Sequence, residues 1–116
     1  MELESMLKAL GEGTRLKIFK ALLERKCCVR SLSRKLGISE SAVSQHMKVL
    51  KSAGLVTGEK FGYHTHYMPV REAIAFMRGE FAAMEQSALS RECDGSQCRC
   101  EFRKENKARI SCSSFF

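Results

Sequence analysis

Three cysteines crowd one short stretch near the C-terminus: Cys93, Cys98 and Cys100, spaced Cys-x4-Cys-x-Cys. Three thiolates gathered in a loop can surround the trigonal centre of arsenite or antimonite. With a fourth donor they can hold tetrahedral zinc or cadmium. Cys112, or Cys27 or Cys28 from either copy of a dimer, are the weaker candidates for that fourth donor. Asp94-Gly95 interrupts any helix between the first two sulfurs and frees the loop to fold around one centre. Arg91, Arg99 and Arg103 lie among them and favour the thiolate, which is the form that binds metal. Two other chemistries stay open. The thiols can form a disulfide or polysulfide in a redox response, or hold a constitutive zinc ion that does no more than fold its surroundings. The adjacent pair Cys27-Cys28 has a weaker claim, because a free cysteine is often a small buried core residue.

A second candidate is His64-x-His66, two imidazoles that alternate onto one face of an expected strand. Such a pair can bind a metal, but with no cysteine or carboxylate close in sequence it reads more simply as surface. Enzymatic chemistry is not expected. The chain carries no nucleophile with a base at useful spacing, no glycine-rich phosphate loop and no paired carboxylates in an apolar setting.

The elements that must position these residues follow from periodicity. The chain has 116 residues, a length that suits one domain. Leu3, Met6, Leu7 and Leu10 predict a short first helix, ended by Gly11-Glu12-Gly13. Thr14 is expected to start a second helix over residues 15–25, with Leu16, Phe19, Leu22 and Leu23 inward. Val29, Leu32 and Leu36 predict a third helix, and Gly37 supplies the left-handed residue that ends it. Ser39 caps a fourth helix over residues 40–53, with Val43, Met47 and Leu50 inward. The period then changes. Residues 55–60 and 63–68 read as two strands about a Phe61-Gly62 turn, the second stopped by Pro69. Val70, Ile74, Met77, Phe81, Met84 and Ala88 repeat at spacings of 4 and 3 along a last helix to about residue 90. That seam is longer than a small monomer core needs, so a helical dimer interface is expected.

The expected fold is therefore mainly α with a small β-hairpin: a winged helix-turn-helix over residues 1–90, followed by a cysteine-rich tail over 91–116. The net charge of +7 favours an anionic partner, and this order of elements points to double-stranded DNA. The fourth helix is then the reader. Gln45 can pair with adenine and Ala42 can touch a thymine methyl. Ser44 lies on the same outer face, and Ser39, Ser41, Lys48 and Lys51 suit phosphate contacts. Lys60, Tyr63 and His64 are the candidates on the hairpin wing. An acidic start and the lack of a long apolar run argue against a signal peptide or membrane span, so a cytoplasmic protein is expected.

Three stretches carry a resemblance: LKALGEGTRLKIFKALL, CVRSLSRKLGISESAVSQHMKVLKSAGLV and GEKFGYHTHYMP. Over residues 7–74 they resemble the ArsR/SmtB family of bacterial and archaeal repressors. The resemblance implies a homodimer built from the first and last helices, and an operon repressor released from operator DNA when an inducer binds. One arsenic and heavy-metal site of that family lies on the third helix in a pattern like Cys-Val-Cys-Asp-Leu-Cys. The matching stretch here is Cys28-Val29-Arg30-Ser31-Leu32-Ser33, in which only Cys28 retains a thiol. The family's zinc site on the last helix uses Asp, His and Glu, and no histidine follows His66. The tail cysteines are left as the expected sensing site, with arsenite or antimonite the favoured ligand.

Overall fold

The structure is a computed structural model in which residues 1–90 are described. Five helices and one hairpin follow in the order α1 (Leu3–Leu10), α2 (Gly13–Glu24), α3 (Val29–Leu36), α4 (Glu40–Ser52), β1 (Val56–Phe61), β2 (His64–Pro69) and α5 (Arg71–Ser90). This is the expected winged helix-turn-helix order. Tail residues Cys93, Cys98, Cys100 and Cys112 lie outside the described residues. Among those described, no helix is long and apolar enough to cross a membrane.

The α3–α4 turn forms for the reasons its residues suggest. Gly37 takes φ +68, a conformation that a side chain disfavours. Its N–H donates to the Ser33 carbonyl at 2.9 Å. The Ser33 hydroxyl donates in turn to the Ile38 carbonyl at 2.5 Å, which ties both sides of the turn together. Ser39 then caps α4, its Oγ accepting the Ala42 N–H at 3.1 Å.

Within Met1–Gly79, one compact unit of the chain, every element from α1 to the start of α5 contributes to a single apolar core. Met6, Ile18, Leu32, Val43, Leu50, Leu55 and Ala73 are fully buried in it. The inward stripe of α4 is Val43, Met47 and Leu50, as expected. That of α2 differs. Ile18, Phe19, Ala21 and Leu22 are buried, whereas Leu16 is 38% and Leu23 52% exposed. Apolar residues occur nearly all round this helix, so spacing does not choose its inner face; packing does. On α1 the buried pair is Met6 and Ala9, and Leu7 is exposed. The start of α2 also differs. Glu12 caps it, accepting the Arg15 N–H, and Thr14 lies inside the first turn.

The hairpin is antiparallel, with Val56 opposite Pro69 and Phe61 opposite His64. The turn is thus Gly62-Tyr63, one residue later than expected, with the positive φ of +65 at Gly62. Pro69 is the last strand residue rather than the stop beyond it. The end of a short edge strand tolerates its missing N–H. A further pairing has no periodic signal: Cys27 N–H donates to Tyr67 O at 3.4 Å and Tyr67 N–H to Cys27 O at 2.8 Å. Opposite Tyr67 stands Gly58. A Cβ there would lie 2.9 Å from Thr65 Cγ2 and 3.2 Å from the Tyr67 ring. Gly58→Ala is therefore expected to destabilise the domain by about 1–3 kcal/mol through overpacking, measurable as a lower urea midpoint.

Over residues 80–90 α5 continues, with Phe81, Met84 and Leu89 exposed.

Candidate nucleic-acid interface

The outer face of α4 carries the side chains singled out from the sequence. Ser41, Ser44, Gln45, Lys48 and Lys51 are exposed and Ala42 is half-buried. Burial of Val43, Met47 and Leu50 fixes this presentation, because it locks the rotation of the helix about its axis. The free N–H groups at a helix start attract phosphate. Here Ser39 occupies one of them, and Glu40 places a carboxylate in the first turn, where it competes with an incoming anion. This leaves Gln45 and its exposed neighbours, rather than the helix tip, as the candidates for reading base edges.

On the wing, Lys60, Tyr63 and His64 are exposed, Tyr63 completely. His66 packs against Phe61 with the rings tilted by 44° and their centres 5.0 Å apart, and is half-buried. A cleft of about 330 Å³ brings wing residues Tyr63 and His64 together with Cys28 and Arg30 at the start of α3 and Glu40 at the start of α4.

The two cysteines of this region have different surroundings. Cys27 is buried and its thiol donates to the Arg25 carbonyl at 3.4 Å, so it packs as a core residue. Cys28 is half-exposed with its sulfur 3.4 Å from the Ser31 hydroxyl. The Ser31 side chain and backbone stabilise its thiolate and hold the thiol below its ordinary pKa. Among the described residues no three His, Cys, Asp or Glu side chains come together as a metal site, so Cys27, Cys28, His64 and His66 do not form one by themselves.

A polar cluster behind the reading face was not legible in the sequence. Arg15 Nε donates to the Ala9 carbonyl at 2.7 Å, and its Nη1 lies 3.5 Å from His46 Nδ1 on α4. Glu12 Oε2 lies 3.8 Å from the same nitrogen. The Arg15 N–H, then the Thr14 N–H, hold the Glu12 carboxyl below its ordinary pKa. A carboxylate with a lowered folded pKa stabilises the fold above its unfolded pKa, and that contribution fades as pH falls through the folded value. Glu12→Gln is thus expected to be less stable than the parent near neutrality and to converge with it in acid. Urea midpoints across pH would show the gap closing.

A helix-turn-helix with an exposed second helix and a hairpin wing defines the winged helix-turn-helix class. A profile described as "Bacterial regulatory protein, arsR family" matches residues 12–57. The chain is 36% identical over 83 residues to the HTH-type transcriptional regulator Rv2034 of Mycobacterium tuberculosis, covering 72% of this chain and 78% of that protein. It is 42% identical over 62 residues to the HTH-type transcriptional repressor SmtB of the same species, covering 53% of this chain and 46% of the relative. This last match thus spans about half the relative's length. Among solved structures, a "possible transcriptional regulator for arsenical resistance" superposes with TM-score 0.63 at 32% identity, covering 69% of this chain and 83% of that one. The chain belongs to the ArsR family of bacterial regulatory proteins.

Proposed function

We propose that this chain is a homodimeric transcriptional repressor that binds operator DNA through α4 and the wing, and releases it when arsenite or antimonite binds Cys93, Cys98 and Cys100. The observation that carries the DNA reading is the exposed row Ser41, Ser44, Gln45 and Lys48, held outward by the buried stripe of α4. Family membership, the +7 charge and the Lys60-Tyr63-His64 wing support it. Dimerisation is supported by Phe81, Met84 and Leu89, large apolar side chains exposed along α5 of the single chain. The metalloid reading is supported by three cysteines at Cys-x4-Cys-x-Cys spacing, and by likeness to a possible transcriptional regulator for arsenical resistance. A dimer must match the spacing of two half-sites, so a ligand that shifts the two reading helices apart weakens binding. Such a repressor works in the cytoplasm, where its DNA is.

The test is to titrate arsenite into a complex of the reduced protein with labelled DNA from upstream of its own gene, following anisotropy. Release near one equivalent per thiol site is expected. Retention of specific binding throughout would remove arsenite and leave a repressor with another signal.

One observation favours a second reading, a thiol-redox repressor. Cys28 carries a thiol held below its ordinary pKa, in the cleft that also receives Tyr63 and His64. Its oxidation or persulfidation would place new bulk beside the wing. Peroxide-driven release that survives loss of the tail cysteines but not Cys28→Ser would select this reading.

A further inference from the structure

We infer that Arg15 is a positioning residue for DNA reading: it ties the end of α1 to the middle of α4 through His46 and so sets the angle at which α4 presents Gln45. The inference rests on α4 being the DNA-reading helix.

The end of α1 needs such a partner. Its C-cap, Gly11, has an ordinary right-handed φ of −74, so no left-handed turn folds back to satisfy its last carbonyls. Arg15 does this instead. Nε donates to Ala9 O at 2.7 Å and Nη2 reaches Lys8 O at 3.5 Å. The remaining arm, Nη1, points to His46 Nδ1 at 3.5 Å. A guanidinium only donates, so this contact requires Nδ1 to be the acceptor, with the imidazole proton on Nε2. Glu12 completes the cluster. It caps α2 through the Arg15 N–H at 3.0 Å, and its carboxylate stands 3.8 Å from the imidazole.

A cleft of about 430 Å³ runs along the outer edge of the junction between α1 and α4, lined by Ser5, Ala9, Arg15, Val49 and Ser52. Val49 is 42% exposed into that space. Deeper apolar contacts hold α4 in the core, and at its outer edge Arg15 adds a polar tie from the end of α1 to His46. His46 is adjacent in sequence to Gln45. A change of tilt at His46 therefore moves the side chain best suited to adenine, and small misplacements are costly where geometry carries specificity.

The experiment compares two replacements of His46 that a merely structural role would rank the other way. His46→Asn keeps an acceptor atom where Nδ1 stands but lowers helix propensity; His46→Leu raises propensity and removes the acceptor. Each chain, shown to be folded by circular dichroism, is titrated against labelled DNA from upstream of its own gene and against scrambled duplex. His46→Leu is expected to lose about tenfold in specific affinity, the size of one charge-assisted hydrogen bond. His46→Asn should stay within about threefold of the parent. Neither should change binding to scrambled DNA. Arg15→Lys should weaken specific binding as His46→Leu does, and the double variant should be no worse than either single one. Parent-like binding by His46→Leu, equal losses in Asn and Leu, or additive losses in the double variant would each overturn the inference. Failure of the parent chain to prefer its own DNA would overturn the DNA-reading assignment itself, and this inference with it.

Discussion

A chain in which Cys93, Cys98 and Cys100 are all serine is expected to bind operator DNA as the parent does and to stay bound when arsenite is added. The two halves of that result come from separate parts of the molecule. The reading side chains belong to α4 and the wing, within residues 39–64, and the cap and buried stripe that seat α4 are Ser39, Val43, Met47 and Leu50. The response depends on thiolate donors. A serine hydroxyl is the same shape but is not ionised near neutrality, and its hard oxygen does not replace soft sulfur at a metalloid centre. Loss of response should be complete over the arsenite range that releases the parent, and each single serine variant should require more arsenite. Cys27→Ser should not alter the response, because that thiol is buried and engaged with the Arg25 carbonyl. Anisotropy titrations of the parent and the five variants would decide it. A triple variant that lets go of DNA like the parent would place the sensor elsewhere, with Cys28 the next residue to change.

The second large effect is on the fold. Leu50→Ala is expected to destabilise the domain by about 2–5 kcal/mol, the cost of a buried leucine cavity. Leu50 has no exposed surface, and its carbonyl accepts the Leu55 N–H at 3.0 Å where the chain leaves α4 for the hairpin. The cavity opens in the core that seats α4. Against a typical total of about 5–15 kcal/mol for a small domain, such a loss removes a large share of the stability and lowers the temperature at which the domain unfolds. Urea unfolding measures the first quantity, and the temperature at which DNA binding fails measures the second. A change below about 1 kcal/mol would mean that the site collapses around alanine and that α4 is less firmly seated than its burial implies.

Much of this architecture was legible before any coordinates. Gly37, Ser39 and the Val43-Met47-Leu50 stripe each report a local rule, and all three stand where those rules put them. The misread inner face of α2 and the missed Cys27–Tyr67 pairing share a cause: each depends on a partner far away in sequence. Leu16 and Leu23 are as apolar as Ile18 and Leu22, and only the placement of neighbouring elements decides which pair is buried. Glu12 rather than Thr14 caps α2, and the same carboxylate lies near His46 on α4. The Cys27–Tyr67 pairing is one residue long and leaves no periodic trace. Of the candidate site, the exposed row on α4 was readable because its opposite face is so regular. The Arg15–His46 contact was not, because it joins residues 31 positions apart.

The most direct test of the central claim is a footprint of the reduced protein on DNA from upstream of its own gene, in the presence of excess scrambled competitor. The account predicts one protected site with two related half-sites about one helical turn, or a multiple of it, apart. Protection should be lost in Gln45→Ala and weakened by rising salt. Uniform, sequence-independent coverage, or protection unchanged in Gln45→Ala, would contradict it.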